Sequence, residues 1–302
     1  MSSVSFIIPV YNKSSFLNHV IKCLKNQSGD FEREFIFIDD GSTDESYEII
    51  LSLTKELENT RIFRQKNMGS ANATNTGIKN ARMKYLKFLD ADDIVLSETT
   101  SALLNILERT SDVVLVYGLQ RKVKNLNDVN IFEKFDKTNF SIIHNPIKMA
   151  MRNSMFNPSQ FLARTDLCKK VGGCDERIKF SQEYSLTLKL SMLGKFAKLN
   201  FPTTILPLVA PGQISEKKNN QIFRVSKALE LFIEDNSELE NKYKLYAQRR
   251  LTARAWRFAK KFKKSGFFSK WFVLYLKGFF YLNSNVLENC RKANKIYNEF
   301  LD

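Results

Sequence analysis

Between Ser5 and Leu89, short apolar runs alternate with segments of helical periodicity, and this alternation leaves few folds open. Ser5 to Val10 is an apolar run ending at Tyr11-Asn12, after which Phe16, Leu17, Val20, Ile21 and Leu24 recur at helical spacing behind Ser14. Glu34 to Ile38 reads as a second strand. Ser42 and Glu45 then have the spacing of a capping box, which predicts a helix running through Glu58. Arg61 to Arg64 reads as a short third strand, and a polar loop from Lys66 to Asn72 leads into a helix ending near Arg82. Tyr85 to Leu89 is a fourth strand. Repetition of this kind specifies an α/β domain with a mainly parallel sheet flanked by helices. Such a sheet gathers its loops at the C-terminal ends of its strands, so Tyr11, Asp39, Gly69 and Asp90 are expected to face one cleft.

The fourth run delivers three carboxylates, Asp90, Asp92 and Asp93, to the end of a strand. Like charges that close repel one another and lose solvation if buried. A divalent cation is the simplest compensation, and Mg²⁺ or Mn²⁺ is usually held by one or two carboxylates together with substrate phosphates. The segment therefore suggests a metal-assisted site for a phosphorylated substrate. An ordinary turn, in which Asp92 and Asp93 cap the next helix, stays open on these residues alone.

Further along, Ser97 to Arg109 reads as a helix and Val113 to Tyr117 as a strand, followed by a polar hairpin or irregular excursion from Lys122 to Lys137. Ala163-Arg164-Thr165 leads into a helix ending at Gly172-Gly173, and Ser181 to Leu193 reads as a helix opening with Gln182-Glu183. Pro202, Pro207 and Pro211 predict a loop-rich exit from the sheet, and from Asn219 onward the pattern is helical only. These breaks predict an α/β domain over residues 1–215 and a helical module over 216–302. Cys23, Cys168, Cys174 and Cys290 form no Cys-x-x-Cys pair and are expected to be free thiols of a reducing cytosol. His19 and His144 are isolated, which argues against histidine catalysis. The best apolar stretch, Trp271 to Leu282, is too short to span a bilayer and is broken by Lys277, and Val4 to Val10 reads as a buried strand and not a leader. Of the net charge of +15, +12 falls between Asn241 and the end, where fifteen Lys and Arg face three acidic residues. A basic module beside a near-neutral one implies an anionic partner for that module.

Four blocks stand in order: Val4 to Asn12, Asp39-Asp40-Gly41-Ser42-Thr43-Asp44, Asn67-Met68-Gly69 with Ala73-Thr74-Asn75-Thr76-Gly77, and Phe88-Leu89-Asp90-Ala91-Asp92-Asp93. Together they resemble the GT-A-fold, Rossmann-like glycosyltransferases of the large inverting family two, over residues 4–210. The resemblance implies transfer of a sugar from a nucleotide-diphosphate donor, assisted by Mn²⁺ or Mg²⁺, with inversion at the anomeric carbon. On that analogy Pro9, Val10 and Tyr11 wall the nucleotide slot, and Asp39 accepts from the uracil ring N–H, favouring a UDP-sugar. Gly69 lets backbone approach the nucleoside, Asp92 is the direct metal ligand, and Asp90 meets the ribose or a metal-bound water. Asp93 is expected to support or cap, and Asp40 and Asp44 to hold the turn and helix start. Aligning Gly172-Gly173-Cys174-Asp175-Glu176 and Gln182-Glu183-Tyr184-Ser185-Leu186 on the family pattern puts Glu183 at the position of the catalytic base.

Departures from the pattern also inform the reading. Thr74 stands where an Arg often reaches the nucleotide, and Cys174 replaces the usual aromatic. The Gln-x-x-Arg-Trp motif of processive synthases is absent, which argues against polymer extrusion. In the C-terminal module Arg249, Arg250, Arg254, Arg257, Lys260, Lys261, Lys263 and Lys264 interleave with Trp256, Phe258 and Phe262. One reading is helices whose aromatics pack inward under solvated lysines. The other is an interfacial helix pair, basic on one side and aromatic on the other, docking on an anionic membrane. The chain is thus expected to be a cytoplasmic enzyme, peripheral to the membrane, that adds one sugar to a glycan or lipid-linked acceptor in lipopolysaccharide- or capsule-type assembly. No nucleic-acid motif is present, and a homo-oligomer is left open. A catalytically silent nucleotide-sugar-binding or membrane-docking module is the alternative. A nucleotidyltransferase is disfavoured because Tyr11-Asn12-Lys13-Ser14 is not a glycine-rich phosphate loop.

Overall fold

The structure is a computed structural model that describes residues 1–178, 182–208, 218–280 and 285–300. Its N-terminal part runs β1 (Ser3–Val10), α1 (Ser14–Lys25), β2 (Glu32–Asp39), α2 (Ser46–Leu53), β3 (Thr60–Arg64), α3 (Ser70–Asn80) and β4 (Tyr85–Phe88). There follow β5 (Ile94–Val95), α4 (Thr99–Arg109), β6 (Val113–Val123), β7 (Phe140–Ile143), α5 (Ile147–Arg152), β8 (Phe161–Arg164), α6 (Thr165–Lys170), α7 (Gln182–Leu190) and β9 (Lys195–Pro207). The remainder is helical: α8 (Lys218–Asp235), α9 (Asn241–Phe262), α10 (Lys270–Phe280) and α11 (Val286–Asn294).

The strands form one sheet in the order β3-β2-β1-β4-β8-β6-β9-β5, with β7 also on β9. β1 is buried on both faces through Val4, Phe6, Ile7 and Ile8, as a central parallel strand must be, and β3, β2, β1 and β4 all run parallel. Register sets the functional edge: Val10 pairs with Asp39 and Ile7 with Phe88, so Tyr11, Asp40 and the Asp90 loop leave the sheet at the same end. Beyond β4 the sheet is mixed, since β8 is antiparallel to both β4 and β6, while β9 is parallel to β6. α1 closes one face with Leu17, Val20, Ile21 and Leu24, the residues that recur at helical spacing.

Two local expectations are corrected. The helix after Ser42 begins only at Ser46, without a side-chain cap, because the Ser42 hydroxyl accepts from Asn12 N (3.0 Å) instead. The segment containing Pro202 and Pro207 is not an exit loop but part of β9. Pro202 sits opposite Leu119, where the β6–β9 register shifts, and such an irregularity is where a strand tolerates a residue without an N–H donor. Pro211 lies outside the described residues.

The chain divides into two compact units. The first comprises Met1–Pro146 and Phe156–Gln213, and the second Ile147–Met155 and Ile214–Asp302. The second unit thus recruits α5 from within the sheet-forming part of the chain. Arg254 secures it by donating to Arg152 O at 2.9 Å. Inside that unit α9 buries Leu251, Ala255 and Phe258, and Tyr297 packs edge-on against Phe258 at 5.0 Å. No described helix is long and apolar enough to cross a membrane.

Candidate active site

The loops after β1 and β2 are stitched to each other. Asn12, in the left-handed region at φ 52°, accepts from Thr43 N (2.8 Å), Lys13 N donates to Ser46 Oγ (2.8 Å), and Ser14 N donates to Asp44 Oδ2 (3.1 Å). Tyr11 is left 44% exposed at the mouth of the strand, with Pro9 on the same side. Val10 is corrected as a wall residue: strand alternation turns its side chain into the core, and only its backbone lies at the edge, where its carbonyl accepts from Asp40 N at 2.8 Å.

Asp39 is fully buried at the end of β2. Its Oδ1 accepts from Ser42 N at 3.3 Å, closing the turn. Its Oδ2 lies 3.2 Å from Arg64 Nε, in a geometry that is not a hydrogen bond, and is an acceptor without a donor. Asp40 does different work. It accepts from Met68 N (3.0 Å) and Gly69 N (2.8 Å), and so shapes the loop after β3. Gly69 has φ 89°, which only glycine adopts readily, and it starts α3. Thr74 is buried in that helix.

The aspartates after β4 rest on a buried polar platform. Ser159 Oγ accepts from Asp90 N (2.9 Å), and Ser159 O accepts from Lys87 Nζ (2.5 Å) and Thr204 Oγ1 (2.9 Å). Lys87 is fully buried and also donates to Phe88 O at 2.8 Å. Burial brings its ammonium down to about 7, while Cys23, Asp93 and Asp90 pull the other way. Asp93 is buried beside Ser159 and does not cap α4, whose first turn is preceded by Glu98. Burial, then Asp90 and Asp92, raise its carboxyl well above the usual range. Asp90 is raised to about 8 by burial and by the charges of Asp92 and Glu183, against Lys13 and Lys87. Asp92 is partly exposed and pairs with Lys13 Nζ at 2.7 Å.

Glu183 lies in the first turn of α7, and its charge is one cause of the raised carboxyl of Asp90. The stretch before α7 is bound to α3. Asn75 holds Cys174 N (2.7 Å), Cys174 O (3.0 Å) and Glu176 Oε1 (2.7 Å), and Asn72 holds Glu176 Oε2 (2.8 Å). Sequence reasoning passed over Lys13, Lys87, Ser159 and this asparagine bridge. A lysine between Leu86 and Phe88 in a buried strand was a usable signal, whereas the other contacts are long-range. Two surface concavities, one lined by Phe31, Arg33 and Asn59 and the other by His144 and Lys195, contain none of these carboxylates.

The residues fit a hard divalent cation. Asp92 already holds a positive charge at 2.7 Å, and Asp90 and Asp92 repel each other until one is protonated or neutralised. Among the described residues no group of three or more His, Cys, Asp or Glu is placed so that it could hold a metal ion by itself. An ion here would take its remaining ligands from phosphate and water.

Residues 5–166 match the model of the family described as Glycosyl transferase family 2. An uncharacterized glycosyltransferase of Haemophilus influenzae is 37% identical over 119 residues, which are 39% of this chain and 47% of that protein. The match spans about half the length of that relative and of two from Rickettsia, and about a fifth of other, longer relatives. In fold it resembles S. aureus TarS 1-349, solved with UDP-GlcNAc, at a TM-score of 0.67 and 16% identity over 99% of this chain and 92% of that 1-349 fragment. It also resembles the mannosyltransferase PcManGT of Pyrobaculum calidifontis, solved with GDP-Man and Mn²⁺ (TM-score 0.56, 14% identity, 97% and 84% covered). The α/β fold is thus of the GT-A type.

Proposed function

The chain belongs to glycosyl transferase family 2, and we propose that it moves one sugar from a UDP-sugar to a hydroxyl of a glycan or lipid-linked acceptor, inverting the anomeric carbon. One arrangement supports this reading: the buried acceptor of Asp39 at the end of β2 and the carboxylates of Asp90 and Asp92 just after β4 lie at one edge of the sheet, and the charge of Glu183, in the first turn of α7, is felt at Asp90.

Each residue has a task that its surroundings allow. Asp39 Oδ2 accepts the ring N–H of the base, and Pro9 and Tyr11 flank the ring. Gly69 brings backbone close to the nucleoside. Asp92, with Asp90, would hold an Mn²⁺ or Mg²⁺, which when bound would offset the charge growing on the departing diphosphate. Lys13 adds a positive charge at the same end of the site, where the Thr74 position supplies none. Glu183 takes the proton of the acceptor hydroxyl as its oxygen bonds to the anomeric carbon, and the bond to the phosphate oxygen breaks with its electron pair leaving on UDP. The UDP-GlcNAc complex of TarS supports a uridine donor, and the Mn²⁺ complex of PcManGT supports the metal. The cytoplasmic face of a membrane, in lipopolysaccharide- or capsule-type assembly, suits the basic second unit and an acceptor carried on lipid.

A nucleotide-sugar-binding module without turnover is the second reading, favoured by Thr74 in place of Arg. A thermal-shift panel of UDP-, GDP- and dTDP-sugars with and without Mn²⁺ tests donor binding. UDP-sugars should raise the melting temperature most, and more with Mn²⁺. No shift with any donor would refute the proposal. Release of UDP in the presence of Mn²⁺ separates an enzyme from a silent module.

A further inference from the structure

The turn joining α9 to α10, residues 263–269, exposes apolar surface that the second unit does not need for its own core. Phe267 is 64% exposed and Phe268 102%, the highest exposure of any large apolar side chain among the described residues. Neighbouring Phe262 and Val273 are also exposed. The turn is a built one. Lys263 N and Ser265 N both donate to Ala259 O (2.9 and 3.2 Å), and Ser269 O accepts from Phe272 N at 3.0 Å to start α10. Phe267 is held from beneath by Phe272, edge-on at 5.1 Å, and by Trp256 at 6.0 Å. Phe268 stands next to it in water.

The sequence that builds this tip carries charge of one sign. Lys260, Lys261, Lys264 and Lys270 are exposed about it, and no Asp or Glu occurs between Glu240 and Glu288. The lysines share a surface with the rings: Lys261 lies 5.0 Å from the Phe262 ring, and Lys270 lies 5.0 Å from that of Trp271. At this turn basic and aromatic side chains are therefore mixed. Trp271, Leu274 and Phe258 turn inward, Phe262, Phe267 and Phe268 lie exposed at this turn among the lysines, and Phe279 and Phe280 are exposed at the other end of α10.

We infer that this turn is a lipid-contacting tip, with Phe267 and Phe268 entering the interfacial layer of an anionic bilayer and the lysines meeting its headgroup phosphates. The inference rests on the peripheral membrane placement proposed above and assigns it to an element. Adjacent exposed phenylalanines ringed by lysine suit a surface that is apolar below and anionic above. A strand of nucleic acid would ask for a basic groove that tracks its backbone, with rings to stack on, and a protruding tip offers none.

The test uses the full chain with vesicles of phosphatidylcholine alone, or of phosphatidylcholine and phosphatidylglycerol in equal parts. Donor binding and melting temperature are measured on the same preparations. The chain should sediment with the anionic vesicles and not with the neutral ones. Phe268→Ser should weaken that binding by about tenfold at unchanged melting temperature, the loss expected for one ring withdrawn from an apolar layer. A Phe268→Trp variant should shift its emission to the blue only with anionic vesicles. Binding by Phe268→Ser equal to that of the parent overturns the tip, as does failure to sediment. So does loss of binding on Lys260→Ser/Lys261→Ser/Lys264→Ser with none on Phe268→Ser, since the contact is then a charged surface alone. Capture of a single-stranded oligonucleotide with the same Phe268 dependence, in place of vesicles, also overturns it. Intact UDP-sugar binding in any of these outcomes leaves the proposed catalytic reading untouched.

Discussion

Lys13 Nζ lies 2.7 Å from Asp92 Oδ2, although 79 residues separate them in the chain. Both side chains are about 15% exposed, so the pair is only partly screened by water. The lysine backbone is pinned by Ser46, and the aspartate leaves a strand whose register is fixed by β1. An ammonium thus occupies the carboxylate that the proposed mechanism gives to a divalent cation, and the two positive charges compete. Lys13→Met should therefore bind Mn²⁺ alone more tightly, by roughly two- to fivefold, the worth of a modest ion pair. Titration of Mn²⁺ followed by calorimetry or electron paramagnetic resonance measures this. Unchanged or weaker Mn²⁺ binding would mean that Lys13 is not a competitor.

Asp92→Asn and Glu183→Gln should fail differently. The first removes a charge that holds a cation, so the Mn²⁺-dependent part of donor binding should disappear. The second keeps the size of the side chain and removes only a proton acceptor. Donor binding should persist while transfer falls by about 10²- to 10⁴-fold, the usual range for a general base. Equilibrium binding and single-turnover transfer on both variants make the comparison. Transfer by Glu183→Gln at the parental rate would remove that residue from the mechanism.

The parallel half of the sheet was readable from sequence because its signals are local. β1 carries the apolar run Phe6 to Val10, the aspartates follow their strand directly, and α1 repeats its core residues every turn. What escaped depends on distant partners. β9 was hidden by its prolines, since the register shift opposite Pro202 lies in β6, more than a strand away in sequence. The start of α2 moved because Asn12, in another loop, takes the Ser42 hydroxyl. Ser159 supports the Asp90 loop from 69 residues away, and no spacing rule connects the two. Val10 shows a finer limit: a motif can mark a strand end without saying which of its side chains faces the ligand.

The buried Lys87 makes stability depend on pH. Its folded value of about 7 lies below the 10.5 of an unperturbed lysine. Between those values the folded state holds a neutral amine while the unfolded chain holds a proton, so unfolding takes up a proton and stability rises with pH. The contribution is complete above 10.5 and is lost as pH falls toward 7. Lys87→Met lacks it. The stability of the parent relative to Lys87→Met should increase from neutral to alkaline pH, whatever constant offset arises from the carbonyls of Phe88 and Ser159 losing their donor. Denaturation of both proteins across this range checks it. Parallel curves would mean that Lys87 does not titrate differently in the folded state.

The bridge between α3 and the stretch before α7 can be tested through its glycines. Gly172 and Gly173 both have positive φ, 70° and 65°. A Cβ on Gly172 would meet nothing within 4 Å, whereas one on Gly173 would come within 2.3 Å of Asn75 Oδ1. Gly172→Ala should therefore lose only the left-handed backbone term, about 1–2 kcal/mol. Gly173→Ala should lose more, because Asn75 must move and release Cys174 and Glu176. That release loosens the segment leading to Glu183, so transfer should drop in Gly173→Ala with donor affinity unchanged, while Gly172→Ala keeps both. Chemical denaturation and single-turnover assays on the two variants provide the comparison. If Gly173→Ala proves no worse than Gly172→Ala in either measurement, the asparagine bridge does not position the proposed base.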